Sequence, residues 1–330
     1  MPVTLHSDLK VYNPQTQSGY IETITQNIDV LNASSQGTII MSSARNRGHM
    51  TLEAIFKNTA DLVSHRDINS TAAAAAKKLG QGELVDIKLN RKIGPLDATE
   101  DSLFKAGFDL EVAQFVVGQM SAMHVTQNHV HTALLGLTSA LGGQPNNFLD
   151  ISAETIPTIN SDALVRGISL LGDRAGRIVC WVMHSGAYFK LVREQIAQKV
   201  TGISDLVLAS ANPLTLNRPT IITDDPALVV TEADGSNSVT EYLTLGLVEG
   251  ACQMEESEGE RIYFDRITGL ENIVWRTQGE YAFNIGLKGF AWDVASGGIN
   301  LTDTALGTAA NWDSIMASHK DLPGVLIRHR

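Results

Sequence analysis

His124, His129 and His131 lie within eight residues of one another, and imidazole is the commonest side-chain ligand for a transition metal. The chemistry they would serve is metal-assisted hydrolysis, in which the bound ion activates a water. Their spacing argues against it. Helical ligands meet at i and i+3 or i+4, and neither His124–His129 nor His129–His131 has that separation. His124 and His131 stand roughly 10 Å apart along a helix axis. Flanking polar positions on a helix are the plainer reading. Asp224 and Asp225 precede Pro226 and would suit paired-carboxylate acid–base work. Adjacent strand residues point to opposite faces, however, and Asp-Asp-Pro is good turn chemistry.

Cys180 and Cys252 are the two cysteines, too few for a disulfide framework or a thiolate metal centre. Cys180 sits in the apolar run IVCWVM and reads as a buried, reduced thiol, as expected of a chain made in reducing cytoplasm. The chain carries no Walker A motif, no GxGxxG after a strand, no GxSxG elbow and no HExxH. Trp181, Trp275, Trp292 and Trp312 are scattered and read as core or interface anchors. No catalytic, cofactor-binding or metal-ligating residue is assigned, and the chain is expected not to be an enzyme. A metal-dependent hydrolase using His124, His129 and Asp224 stands as the rival from another class.

The 330 residues allow two ordinary domains or one elaborated one. Hydrophobic residues make up 43%, enough to bury a sizeable core and to exclude wholesale disorder. Charged residues are 18%, below the ~25% usual in soluble domains, so much of the surface is expected to be covered by partners. The net charge of −11 argues against a protein that coats nucleic acid. No apolar run reaches the roughly 18 residues of a membrane span, and no secretory signal is expected at the N-terminus.

Charge is uneven along the chain. Arg45 to Lys92 holds nine basic and five acidic residues, whereas Pro219 to Glu260 holds ten acids and no Lys or Arg. Either both are solvated faces, or they meet between copies of the chain, since complementary potentials fix partner and register.

The elements that must position these residues are legible in pattern. Residues 1–47 are polar and read as an extended arm. ELVDIKLNRKI at 83–93 has strand character, while 69–82 is alanine-rich and fits either a helix or a mobile hairpin tip. The strongest signal is a helix from Asp109 to Leu141, roughly 50 Å long. Ala113, Val116, Met120, Met123, Gln127, Val130, Leu134, Leu137 and Leu141 follow a 3-4 spacing. Val116, Met120, Met123, Val130, Leu134 and Leu137 are therefore expected to form its core stripe. Met123 and Val130 would face the strands that carry Tyr281 and Phe283. Asp109 is the expected N-cap and Gly142-Gly143 the left-handed stop. Helices at 161–171 and 186–198, the latter capped by Ser185, flank a buried strand at 177–183. Strands follow at 219–223, 227–231 and 242–248, with a turn at Asp234-Gly235. Further strands are read at 261–266, 272–277 and 280–285, and a short one at GVLIRH.

Four stretches carry a family resemblance: LGQGELVDIKLNRKIGPLD at 79–97, RIVCWVMHSGAYFKL at 177–191, RPTIITDDPAL at 218–228, and 241–292 with its Gly-Phe-x-Trp ending. In their order and spacing they resemble major capsid proteins of tailed bacteriophages, the Hong Kong 97 phage fold shared with encapsulin shells. The resemblance implies an α+β chain with an N-terminal arm (1–47), an extended loop region (48–106) and a spine helix of the peripheral domain (107–143). An axial domain (144–254), peripheral strands (255–292) and a return to the axial domain (293–330) complete it. It further implies self-association as hexamers and pentamers into an icosahedral shell around packaged double-stranded DNA, built in the bacterial host cytoplasm and ending in the virion capsid. A separate scaffolding protein is expected, because the arm is short for a built-in one, together with a portal and decoration or cement proteins. No cofactor and no membrane partner are implied. An encapsulin-type compartment is the alternative within the fold. The loop cations Lys77, Lys78, Lys88, Arg91 and Lys92 are expected to meet Glu249, Glu255, Glu256, Glu258 and Glu260 of an adjacent copy.

Overall fold

The computed structural model describes residues 32–330, except 34, 43–47, 49, 58–62, 64, 67, 70, 72, 74, 75, 79, 106–109, 201–214, 235, 236 and 270. Most of the expected arm, the Asp109 cap and Gly235 of the expected turn lie outside the described residues.

Along the chain come strands β1 (Ile39–Ser42), β2 (Met50–Lys57) and β3 (Gly80–Thr99), helix α1 (Glu100–Lys105) and the 33-residue helix α2 (Leu110–Gly142). Strand β4 (Phe148–Asp150), helix α3 (Ser161–Ser169), strand β5 (Ile178–Met183) and helix α4 (Ser185–Val200) follow. Then come β6 (Thr220–Ile222), β7 (Val229–Asp234), β8 (Asn237–Val248), β9 (Cys252–Ile267) and β10 (Val274–Leu287). The short strands β11 (Phe290–Trp292), β12 (Trp312–Ser314) and β13 (Gly324–His329) complete the chain. One sheet has the order β1-β9-β10-β3-β2, and a second has β4-β13-β8-β5-β6 with β7 also paired to β8.

The chain divides into two compact units. The first, among described residues, comprises 90–129 and 258–282, less 106–109 and 270. Here the N-terminal part of α2 meets the far ends of the long strands. Tyr281 donates its hydroxyl to Asn128 Oδ1 at 3.0 Å, and the His129 ring meets Tyr281 edge-on at 5.7 Å. Arg276 forks onto Asp97 at 2.6 and 2.7 Å, tying β10 to β3. Glu100 N–H donates to Ile273 O at 3.0 Å, fastening α1 to the strand that follows.

The second unit comprises 32–89, 130–257 and 283–330. Leu134, Leu137 and Leu141 of α2 are fully buried, each worth ~1.5–3 kcal/mol of transfer free energy. The second sheet is packed against α3 and α4 through Trp181, Leu164, Leu191 and Ile327. Its centre is closed by β13, which runs antiparallel to β8 from Gly324↔Leu247 to His329↔Tyr242 and parallel to β4. Gly324 holds φ +156°, and a Cβ there would lie 2.0 Å from Gly246 O, so only glycine admits this pairing. Glu241, buried in β8, receives Arg330 Nε at 3.0 Å and also binds Arg328, clasping the last residues onto the sheet. Both cysteines are free and buried, and burial pushes the Cys180 thiol up to about 11.

Several expectations are corrected here. Val116, Met120 and Met123 are exposed at 40%, 51% and 54%, and Val130 is half-buried. The buried face of that half of α2 instead runs through Gly118, Ser121, Ala122, Val125 and His129. Gly118, Ser121 and Ala122 leave little side-chain bulk on that part of the inward face. Asn128 and His129, not Met123, meet Tyr281. The strand expected at 261–266 begins earlier, as a 16-residue strand from Cys252 to Ile267. The strands expected at 272–277 and 280–285 are one. Neither Gly142 nor Gly143 is left-handed; a Cβ on Gly143 would come within 3.2 Å of Ala309 Cβ, so close packing accounts for that glycine. Residues 227–228 belong to a 3-10 turn, Pro226–Leu228.

Candidate subunit interface

The extended hairpin begins where β2 pairs antiparallel with β3, from Met50↔Ile87 to Lys57↔Gly80. Alternation along β2 places Met50, Leu52, Ala54 and Phe56 on one face and Thr51, Glu53 and Ile55 on the other. The first face is open: Leu52 is 59% and Phe56 70% exposed. Lys77 and Lys78, in the connection between the strands, are exposed. So is Lys92, while Arg91 is half-buried.

Lys88 departs from expectation. It is buried at 6% exposure, on the part of β3 that continues past the Met50↔Ile87 pair at the hairpin root. Lys88 therefore belongs to the body of the sheet and is removed from the loop-side set. Opposite in charge, Glu249 and Glu258 are exposed, and Glu255, Glu256 and Glu260 are half-buried on β9. Glu255 sits at the β1 edge, in register with Ser42.

Sequence reasoning missed a carboxylate cluster at the hairpin root. Glu53, Asp86 and Glu255 line one cleft of about 290 Å³ with Thr51, Gln253 and Lys288. Burial, reinforced by the negative charges of Glu53 and Glu255, pushes Asp86 up to about 6. Gly286 makes room for it, since a Cβ there would lie 2.4 Å from Asp86 Oδ1. The signal was a cross-strand diagonal, Glu53 two residues along β2 from Thr51, the register partner of Asp86, which is visible only once the register is known.

The residues with catalytic potential are occupied structurally. His131 Nδ1 contacts Asp225 Oδ1 at 2.7 Å, and Asp225 also accepts from Ala227 N–H at 2.8 Å, capping the 3-10 turn. Asp224 accepts from Ser185 N–H at 3.3 Å, and His184 Nδ1 accepts from Gly186 N–H at 3.0 Å. These two side chains cap α4, the role expected of Ser185. His124 is exposed on α2. Burial, with a contribution from Arg91, holds His129 down to about 4. Among the described residues no three His, Cys, Asp or Glu side chains are grouped to hold a metal ion.

An open hairpin face, a cationic connection and acid-rich strands, with active-site candidates spent on caps, describe a subunit built for contact with other subunits. The family model described as major capsid protein 13-like matches residues 8–326. The chain belongs to that family. No curated protein sequence matches it. Among solved structures it is similar to the capsid of Ralstonia phage GP4, at 11% identity over 99% of this chain and 94% of that one, with TM-score 0.52. The Cyanophage Pam1 capsid is similar at 10% identity over 88% of each chain, TM-score 0.51. A chain of Mycobacterium phage Bobi is similar at 10% identity over 99% and 95%, TM-score 0.50. At such identities the likeness is one of fold, and the fold is the Hong Kong 97 type. This is a major capsid protein of that fold.

Proposed function

We propose that copies of this chain associate as hexamers and pentamers into an icosahedral shell that encloses packaged double-stranded DNA. The observation that carries this is the family match over nearly the whole chain. It is supported by the hairpin, whose apolar face is left open on the single subunit. In this reading the hairpin at 50–87 lies over a neighbouring subunit, and Lys77, Lys78, Arg91 and Lys92 meet Glu249, Glu255, Glu256, Glu258 and Glu260 there. The division into arm, extended loop, peripheral and axial parts is retained with it. A net charge of −11 suits a container that must release its DNA, because a basic lining would hold the duplex through its phosphates. A separate scaffolding protein, a portal and decoration proteins are the further partners. Synthesis and assembly take place in the bacterial cytoplasm, and the chain performs no catalysis. Size chromatography and electron microscopy of the purified chain, alone and with neighbouring phage genes co-expressed, test the reading. Megadalton shells or capsomers are expected; a small oligomer under every condition would sink it.

A further inference from the structure

Glu53 on β2, Asp86 on β3 and Glu255 on β9 bring carboxyl groups from three strands of one sheet into a single cleft at the hairpin root. Asp86 is wedged against β10. A Cβ at Gly286 would stand 2.4 Å from its Oδ1 and 2.9 Å from its Oδ2, so the carboxyl fills the space that any other residue at 286 would need. Its Oδ1 is buried and accepts no hydrogen bond from a described residue. An ionised oxygen in that position gives up its hydration without compensation, whereas a neutral carboxyl loses far less.

The groups around Asp86 tip the balance the same way. Glu53 faces it from β2 and Glu255 from β9. Cys252, also on β9, has a thiol that burial and the Asp86 charge hold in its neutral form. Lys288 enters the cleft from β10, but its ammonium donates to Glu249 O at 2.8 Å. Lys88 is two residues along β3, on the same side of that strand. Neither cation restores the ordinary carboxylate value: burial, then Glu53 and Glu255, push Asp86 up to about 6. Repulsion between Glu53 and Asp86 acts across the β2–β3 pairing, where Thr51 is the register partner of Asp86. Among the described residues β2 is held by β3 alone, at the edge of the sheet. It is therefore the strand that can yield.

We propose that Glu53, Asp86 and Glu255 form a proton-operated latch on the hairpin, which seats β2 on β3 while the cluster keeps a proton and loosens β2 when that proton leaves. The raised value belongs to the folded state. The latch is thus fully closed below the ordinary carboxylate value, about 4, and opens as pH rises through about 6. The device lies within one subunit and does not depend on the shell-forming reading.

Hydrogen exchange of the unassembled full chain, read by mass spectrometry with rates corrected for intrinsic base catalysis, tests it. Protection of peptides covering 50–57 should fall about tenfold between pH 5 and 8 and level off above about 6. Peptides covering β13, which belongs to the same unit but lies outside the cleft, should keep theirs. Asp86→Asn should abolish the fall. Glu53→Gln and Glu255→Gln each remove a repelling charge, and each should make the fall smaller and end it at lower pH. Protection in wild type that does not change with pH would overturn the latch. So would a fall of equal size in Asp86→Asn, which would give the residue a packing role only. Should Asp86→Asn not fold, the two glutamine variants decide the matter, and an unchanged profile in both would refute the proposal.

Discussion

Over residues 130–142, helix α2 turns its leucines inward; over 110–129 it turns Gly118, Ser121, Ala122 and Val125 inward and Val112, Val116, Met120 and Met123 out. Leu134, Leu137 and Leu141 are fully buried. Gly136 lies among them, and a Cβ there would stand 3.6 Å from Ile285, Leu287 and Trp312. In the other half Ala122 and Val125 are buried while Met120 and Met123 are about half exposed. One helix therefore carries a conventional core on one stretch and, on the other, a thin inward face with its bulk held outward. The same apolar residue type stabilises the subunit in the first stretch and is available for assembly in the second.

The sharpest way to break this contrast is to truncate one residue in each half. Leu134→Ala should cost ~2–5 kcal/mol of subunit stability, the transfer term plus the cavity left behind. Met120→Ala should change it by no more than ~0.5 kcal/mol, yet lower particle yield. Denaturant unfolding of unassembled subunit, beside particle counts, reads both. Equal stability losses would show that the N-terminal half hides its methionines within the subunit.

That contrast also explains what the residue pattern disclosed and what it concealed. Helix α2 is within a residue of its expected bounds, and β13 begins and ends at GVLIRH as read. Both are set by local periodicity and flanking breakers. The rotation of the buried stripe was not legible, because apolar spacing counts bulk, whereas close helix–strand approach selects for its absence. Strand β9 was hidden by Glu255, Glu256, Glu258 and Glu260, since acids are poor strand formers in isolation. Its burial pattern holds Cys252, Met254, Ser257 and Ile262 inward all the same. Gly279 falls in the gap between the strands expected at 272–277 and 280–285. It is a close approach within one strand, where a Cβ would lie 3.0 Å from Arg261 O. The loop cations were legible as charge, but burial of Lys88 depends on how far β3 runs beyond the hairpin. The carboxylate cluster needed cross-strand register, which pattern alone does not fix.

His129 and Asp86, one in each unit, have pH signatures of opposite sign. His129 in the first unit is held down to about 4 by burial and Arg91. Its folded form stays neutral where the unfolded chain takes up a proton, so its contribution is present above about 6.5 and lost as pH falls towards 4. The loss is on the order of 3 kcal/mol. His329, also down to about 4, acts in the same window. His129→Phe keeps a ring against Tyr281 and should flatten, but not abolish, the fall in stability between pH 6.5 and 4. An unchanged slope would show that His129 does not stay neutral in the folded subunit.

Asp86 in the second unit runs the other way. Its carboxyl is pushed up to about 6, so the folded state favours the protonated form. The associated stability is present below the ordinary carboxylate value and is lost as pH rises through about 6. Asp86→Asn should therefore protect the β2–β3 amides from hydrogen exchange more than wild type at pH 8. The gap should close near pH 4, a smaller effect than that of His129. Equal protection at both pH values would remove the cluster as a source of strain at the hairpin root.

The smallest effect per contact concerns the charges of the hairpin connection. Lys77 and Lys78 are exposed, and an exposed ion pair contributes only ~0–1 kcal/mol. No single pair decides assembly. In the proposed shell the contact would recur around every ring, so fractions of a kcal/mol at each site would combine into a steep dependence on conditions. Lys77→Glu with Lys78→Glu should leave subunit unfolding unchanged and raise the protein concentration needed for assembly. Added salt should weaken wild-type association in the same direction, because the charges lie where solvent screens them. Reversal on the acidic side, Glu256→Lys with Glu258→Lys, should partly restore the hairpin variant. Glu255 is left in place so that the carboxylate cluster is undisturbed. If the combined reversal assembles no better than the hairpin variant alone, the two charged stretches do not meet.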